Sequence, residues 1–499
     1  MALEWRGEAL EELAGREFDL LVVGAGIVGA GIANEAARAG LAVALVDKGD
    51  FGAATSSSSS KLIHGGLRYL RLGDVRLVRE AHKERRALMR IVAPHLVRRL
   101  PFLFPVYERG PYRAFTIQTG LWLYSTLARE RLGGLVPPER SQRSIPPLRL
   151  EGLRGCGLYA DAWTHDSRLC LANVRAAADA GATVLNYAEV TGLCNEGGGV
   201  AGAEVRVLGG ETASVRARVV VNATGPWVDR LRRLEDPTAA PSIRLSKGAH
   251  AILRLEQPWS AALTIPHDTV RVSFAVPWEG MLLLGTTDTL YEGEPDEVAA
   301  TPEDVDQILA EAAVALEPDA LRPDAIRSVY AGLRVLPGAE GATASARRET
   351  VYERGPAGML TVAGGKLTTY RQIALDALRQ VRSDLGLHRL PGHPVALPGA
   401  EGLAEAGVRL ARANPNLEPA IRSHLAHLYG SLAAEVLEGA ADDPSLLERL
   451  NPEGPDIAAQ AVYAQRREWA CKPEDILRRR TTLELRGLRP TRKLAEVLG

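Results

Sequence analysis

Three glycines and an acid carry the first chemical signal. Gly24, Gly26 and Gly29 stand as Gly-x-Gly-x-x-Gly directly after the apolar run FDLLVV. Asp47 closes a second apolar run, LAVALVD, 18 residues after Gly29. In a strand–turn–helix–strand unit each has a reason: Gly24 permits the tight turn, Gly26 lets the backbone approach a pyrophosphate, and Gly29 lets the helix pack on the strand. The phosphates then meet the N–H groups of the helix N-terminus, and Asp47 accepts hydrogen bonds from a ribose. A serine run follows, Ala53 to Lys61, leading into Leu62-Ile-His64-Gly65-Gly66-Leu67-Arg68-Tyr69. Read alone it is a flexible linker. Directly after a dinucleotide unit it reads as a loop of hydroxyl and backbone donors around phosphates, followed by a segment that brings Arg68 and Tyr69 toward a substrate.

Basic residues form the second group. The chain has 53 arginines and 7 lysines, so lysine is the more informative. Lys61, Lys247 and Lys366 fall inside motif-like segments, Lys366 in Gly364-Gly365-Lys366-Leu367-Thr368, where an apolar run enters a helix through two glycines. Arg334 sits in the apolar, glycine-flanked AGLRVLPG, and guanidinium groups suit a phosphate dianion in a closed pocket. His250, in SKGAH, is of the residue type that accepts a hydroxyl proton near neutral pH. Its plainer reading is a histidine filling a sheet face. The four cysteines, Cys156, Cys170, Cys194 and Cys471, lie far apart with no Cys-x-x-Cys, so no zinc site, other metal site or disulfide framework is expected. A reducing cytoplasm suits them.

The elements that must position these residues are of the α/β kind. Strand, glycine turn, helix and strand fill 18–47. ARVVVN before Ala223-Thr224-Gly225 returns to the same sheet, bringing backbone close to a cofactor. Alternation over 243–288 predicts antiparallel strands of a second sheet and a substrate domain. Residues 80–130 read as helical with interruptions at Pro94, Pro101 and Pro105. The expected division is a Rossmann-like nucleotide-binding domain (about 18–75, 150–230 and 350–390) interleaved with a substrate domain (about 76–149 and 231–349). A helical C-terminal domain (391–499) follows the proline and glycine punctuation at Pro391 to Pro398.

With 499 residues, 60 basic against 61 acidic side chains and a net charge of -1, a large folded body is expected and a generally basic nucleic-acid binder is not. The N-terminal MALEWRGEALEELAGRE is too charged for a signal peptide and reads as a lead-in helix. The uncharged run Phe115 to Ala128 is 14 residues, too short to span a bilayer. Arg90, His95, Arg98 and Arg99 among Leu88, Ile91, Val92, Leu96, Val97, Leu100, Phe102 and Phe104 fit either a face on anionic lipid or a partly buried helix.

The segments GAGIVGAGIA, ATSSSSSKLIHGGLRYL, ADAWTHDSRLCLAN, VNATGPWVD, SKGAH, GTTD, AGLRVLPG and GGKLTTYR, with EWACKPEDILRRRT near the C-terminus, occur in an order that resembles the FAD-dependent glycerol-3-phosphate dehydrogenases, over about 18–490. The resemblance implies oxidation of sn-glycerol 3-phosphate to dihydroxyacetone phosphate, C2 giving a hydride to flavin N5 and the electrons passing to a membrane quinone. It implies FAD held by Gly24, Gly26, Gly29, Asp47, Thr55, Ser56, Ser60, Lys61, His64, Gly65, Val190, Ala223, Gly225, Gly364, Gly365, Lys366, Leu367 and Thr368. Arg68, Tyr69, Arg334, Arg348 and Thr287 fall at the substrate, with Asp288 shaping the pocket, and Arg347 stands beside Arg348 as its alternative. His250, Lys366 and Arg334 carry the catalytic roles, with Lys366 stabilising charge on the reduced flavin. His64, Lys366 or a bound water are alternatives to His250 as proton acceptor. Peripheral contact with the inner face of the cell membrane and a homodimer are further expectations. A glycerol-3-phosphate oxidase using oxygen, and a non-catalytic flavin-binding protein, remain the other readings.

Overall fold

The computed structural model describes residues 4–67, 70, 73–130, 134–268, 271–338 and 350–491. Arg68, Tyr69, Arg347 and Arg348 lie outside the described residues.

Two sheets carry the molecule. The first has eight strands: β1 (Glu17–Val23), β2 (Val43–Val46), β7 (Thr183–Leu185), β8 (Ala188–Glu196), β9 (Gly199–Val207), β10 (Thr212–Asn222), β17 (Thr350–Arg354) and β18 (Leu360–Gly364). Its centre is parallel in the order β18-β10-β1-β2-β7. Successive side chains of β1 point to opposite faces. Leu20 and Val22 enter one core with α2 (Ile27–Arg38), α5 (Asp166–Asp179) and α6 (Tyr370–Gln380), as Ala33, Val174 and Ala374 show. Leu21 and Val23 enter another with the β8–β9 ribbon and α1 (Glu4–Gly15). Burial on both faces explains the continuous apolar runs that mark these strands.

The second sheet has ten strands: β3 (Leu62–Ile63), β4 (Val97–Tyr107), β5 (Leu135–Val136), β6 (Leu153–Thr164), β11 (Ile243–Arg254), β12 (Ala262–Pro266), β13 (Val272–Trp278), β14 (Met281–Gly285), β15 (Thr289–Tyr291) and β16 (Ile326–Pro337). Thus β3 and β6, expected with the nucleotide-binding part, pair in this sheet instead. The helical reading of 80–130 also needs correction. Helices α3 (Val75–Ala87) and α4 (Ala114–Ala128) flank β4, which contains Pro101 and Pro105. One edge of β4 bonds β12 only at Phe102 and Leu103, so most of that edge asks no N–H of it and tolerates proline. Phe102 and Phe104 fill one core and Leu103 another, which erases the polar alternation that marks a half-buried strand.

The same burial removes the supposed lipid face at 88–104. Leu88, Val92, Leu96 and Val97 belong to the core beneath the first sheet, and of the eight apolar residues only Ile91 is exposed. C-terminal to the sheets, α7 (Leu403–Ala413), α8 (Pro419–Tyr429) and α9 (Ala458–Arg467) form their own apolar cluster. No helix among the described residues is long and apolar enough to cross a membrane.

Candidate functional site

Between the two sheets lies a cavity of about 640 Å³. One wall is built by the glycine turn. Gly24 has φ +99°, a left-handed conformation that glycine adopts without strain. A Cβ at Gly29 would lie 1.8 Å from Gly24 O, so only glycine lets α2 start this close to β1. Gly26, at the start of α2, lines the cavity, where the N–H groups of the first turn favour an anion. Ser56 Oγ accepts a hydrogen bond from Ile27 N at 2.9 Å, so the serine run is folded onto that helix end and is not a linker.

Asp47 does two jobs at once. Its carboxylate accepts from Ala25 N at 2.6 Å and Gly49 N at 2.9 Å, bracing the glycine turn, while burial, against those two bonds, pushes its pKa up to about 6. Ala188 N donates to Asp47 O at 2.7 Å, which brings the start of β8 alongside.

A second wall follows from strand register. In β11 and β16, which are antiparallel, His250 pairs with Tyr330, Gly248 with Gly332 and Ser246 with Arg334. Ala249, Ala251 and Ala331 alternate with them and enter the core on the other face, so His250, Gly248 and Arg334 share the cavity side. His250 is 3% exposed. Its Nε2 pairs with Ser60 Oγ at 2.8 Å and its ring stacks on Tyr330 at 4.9 Å, while Nδ1 is buried with no hydrogen-bond partner among the described residues. Burial, reinforced by the Arg334 and Lys61 charges, holds its pKa well below 6.5, so the imidazole is neutral at physiological pH.

Arg334 is held by a frame of acceptors. One Nη donates to Thr286 Oγ1 at 2.6 Å and Thr287 O at 3.0 Å, and the other to Ser246 Oγ at 3.3 Å with Asp288 at 3.6 Å. A Cβ at Gly248 would fall 2.3 Å from the guanidinium, so this glycine makes room for it. Lys366, half-buried, enters from the turn after β18, where Gly364 (φ +83°) and Gly365 (φ +102°) redirect the chain. Thr368 Oγ1 pins the backbone of His64 through its N–H at 3.1 Å and carbonyl at 3.3 Å.

The cavity thus unites Gly26, Thr55, Ser56, Ser60, His64, Ala223, Gly225, His250, Arg334, Gly364, Gly365, Lys366, Leu367 and Thr368. Four expectations change. Lys61 is buried away from the cavity, its ammonium 2.7 Å from Asp166, because a buried charge requires a partner. Gly65 is required by packing: a Cβ there would meet His82 and Tyr124 at 2.2 to 2.6 Å. Thr287 turns away, its Oγ1 accepting from Ala249 N at 2.9 Å, and Thr286 lines the cavity in its place. Val190 packs half-buried against the ribbon core, outside the cavity wall.

Other wall residues went unnoticed in the sequence. Asp161 accepts from Tyr124 OH at 2.9 Å and Gly65 N at 3.1 Å, beside Arg85, and burial pushes its pKa up despite that guanidinium. An acid inside the apolar stretch Leu158 to Trp163 was its one visible sign. Arg271, paired with Glu311 at 2.6 Å, had none among so many arginines.

The N–H groups at the start of α2, facing the cavity, fit the diphosphate of a dinucleotide. A model of the family described as FAD dependent oxidoreductase matches residues 19–371, and one described as the C-terminal domain of alpha-glycerophosphate oxidase matches 392–498. Glycerol-3-phosphate dehydrogenase 2 of Mycobacterium tuberculosis is 38% identical over 99% of this chain and 86% of its own length. D-erythritol 1-phosphate dehydrogenase of Brucella abortus is 36% identical over 93% and 94%. The structure of glycerol-3-phosphate dehydrogenase from Bacillus halodurans complexed with FAD superposes with a TM-score of 0.77 at 30% identity, over 96% of this chain and 88% of that one.

Proposed function

The chain belongs to the FAD dependent oxidoreductase family and within it to the FAD-dependent glycerol-3-phosphate dehydrogenases, and on that footing we propose that it oxidises the C2 alcohol of sn-glycerol 3-phosphate to dihydroxyacetone phosphate and passes the electrons to a membrane quinone. The observation that supports this reading is the meeting of a neutral buried imidazole, a framed guanidinium and a lysine on the wall of one cavity that the start of α2 also lines.

FAD is the cofactor, and when bound it supplies the two-electron sink that accepts the C2 hydride. Gly26 and the first turn of α2 hold its diphosphate, Asp47 its ribose, and Gly364 to Thr368 the edge of its ring. Arg334 binds the substrate phosphate as a fork of fixed orientation, since Thr286, Thr287 and Ser246 hold its plane. Arg68, Tyr69 and Arg348 are assigned to the same substrate. His250, paired through Nε2 with Ser60 Oγ, takes the C2 hydroxyl proton on the ring nitrogen that its neutral tautomer leaves unprotonated. Lys366 stabilises negative charge beside the ring.

Anaerobic titration of the yellow holoenzyme tests this. One equivalent of sn-glycerol 3-phosphate should bleach the flavin, and glycerol without the phosphate should not. D-erythritol 1-phosphate, the substrate named for a relative, is the competing arm: stronger bleaching with it would move the substrate assignment. Reoxidation by a quinone analogue faster than by air supports the quinone as acceptor, and the reverse order supports the oxidase reading.

A further inference from the structure

Lys61 and Asp166 form an ion pair almost out of reach of water: 1% and 0% of their side chains are exposed, and Nζ stands 2.7 Å from Oδ1. Exchanging such a pair for apolar residues is often neutral or stabilising, so its presence calls for a task other than stability. The backbone of Lys61 sharpens the question. Its φ is +55°, the left-handed region that a lysine enters only where its surroundings hold it.

The task is legible in what the pair holds. Asp166 Oδ2 accepts from Ser59 N at 3.1 Å and Ser59 Oγ at 2.7 Å, while Oδ1 takes Lys61 Nζ and, at 3.0 Å, Ser167 N. Lys61 N donates to Ser59 Oγ at 3.0 Å, and Lys61 O accepts from Thr164 N at 2.8 Å. The residues on both sides of Ser60 are thus tied to the start of α5 and the end of β6, which fixes the stretch of chain that carries Ser60. Its Oγ is the one hydrogen-bond partner of the His250 ring among the described residues.

The same anchor reaches the face of the ring. Tyr330 OH donates to Ser59 O at 2.8 Å, and the Tyr330 ring lies 4.9 Å from the imidazole at an interplanar angle of 19°. A Cβ at Gly332, two residues along β16, would fall 2.7 Å from Ser58 O, so the serine loop and β16 are in direct contact. A hydrogen bond at one ring nitrogen and a phenol stacked on the face together set the position and the tilt of the imidazole. For a proton acceptor that matters, because a misplacement of about 1 Å can cost about 100-fold in rate.

We propose that Ser60 is a positioning residue for His250 and that the buried Lys61–Asp166 pair is its anchor. Ser60 and Lys61 then serve the proton acceptor, whereas the family resemblance assigns both to FAD. The inference rests on the reading of His250 as that acceptor.

Anaerobic rapid mixing of the holoenzyme with sn-glycerol 3-phosphate separates substrate affinity from the rate of flavin reduction, and so tests this. Ser60→Ala should keep the flavin content and visible spectrum, keep the substrate Kd within about twofold, and slow reduction by about 10- to 100-fold. Ser60→Thr keeps the hydroxyl and should recover most of the rate. Should the alanine variant lose flavin, Ser60→Cys, of similar size but with a weak donor, takes its place in the comparison. Lys61→Met/Asp166→Asn leaves no buried ion unpaired and should slow reduction by about 10-fold, again at unchanged Kd. In a His250→Asn background, Ser60→Ala should cost less than about twofold more, because a group that acts through the imidazole has nothing left to act on. The full extra loss in that background, reduction near the wild-type rate in Ser60→Ala or in the paired variant, or a loss confined to substrate affinity overturns the proposal. Slow reduction in His250→Asn with fast reduction in Ser60→Ala defeats the proposal alone. Reduction near wild type in His250→Asn itself defeats the acceptor reading and takes the proposal with it.

Discussion

A neutral imidazole accepts a proton at once, whereas a charged one must first lose its own. His250 is held on the neutral side by burial and by the charges of Arg334 and Lys61. Its acid limb in kcat/KM should therefore lie well below the ordinary 6.5, with activity flat through neutral pH, because protonation removes the base only as pH falls through a depressed pKa. A limb centred near 6.5 would mean that another group titrates. His250→Asn keeps a polar side chain but cannot take the proton, and anaerobic flavin reduction should slow by about 100- to 10,000-fold. Reduction within about threefold of wild type would pass the role to Lys366, His64 or a bound water. Residue type and motif alone named His250 and Arg334. They did not show that Ser60 and Tyr330 hold the ring, nor that Lys61, equally prominent in the sequence, spends its charge on Asp166. A side chain's partner across more than a hundred residues is a product of folding.

At the scale of elements, the β11–β16 register puts His250, Gly248 and Arg334 on the cavity side, and Gly248 leaves room for the Arg334 guanidinium. Gly248→Ala should leave flavin content near wild type, since the intruding methyl meets the Arg334 guanidinium and the Thr286 hydroxyl and pushes the guanidinium out of its frame. It should lower kcat/KM for glycerol 3-phosphate by about 100-fold, the usual loss when a binding group shifts by an ångström. Unchanged kinetics would mean that Arg334 does not hold the substrate in this pose. The glycine turn was legible from spacing because the constraints at Gly24 and Gly29 are local: one needs a left-handed φ, the other a close backbone approach. Strand β4 was not legible. Its prolines and its two buried faces are consistent with a strand only once the neighbours on either side are known.

At the scale of the molecule, the C-terminal segment clasps the nucleotide-binding loop. Asp50, three residues beyond Asp47, is buried against Arg479 and Arg480, and Arg478 reaches Ser58 at 3.3 Å. Burial opposes ionisation of Asp50, but the two guanidinium groups prevail and hold its pKa below the ordinary 3.8. That stabilisation is complete above about pH 4 and is lost as pH falls through the lower folded pKa. Asp50→Asn would leave Arg480 buried without its carboxylate and Arg479 with Asp475 alone, and should cost about 3 to 5 kcal/mol, seen as a Tm lower by several degrees at neutral pH. An unchanged Tm would make the clasp dispensable. The sequence by itself determined the glycine turn, its acid, the cations that invite a phosphate, and the family, because each is written in residue type and short spacing. Only the tertiary structure decided which cations face the cavity, that Thr286 rather than Thr287 lines it, that the apolar residues at 88–104 other than Ile91 are core while Phe115, Trp122 and Leu123 of α4 are surface, and that the C-terminal arginines brace the loop after β2. Those outcomes depend on which distant segments come to lie on each face, and burial and charge pairing are settled there.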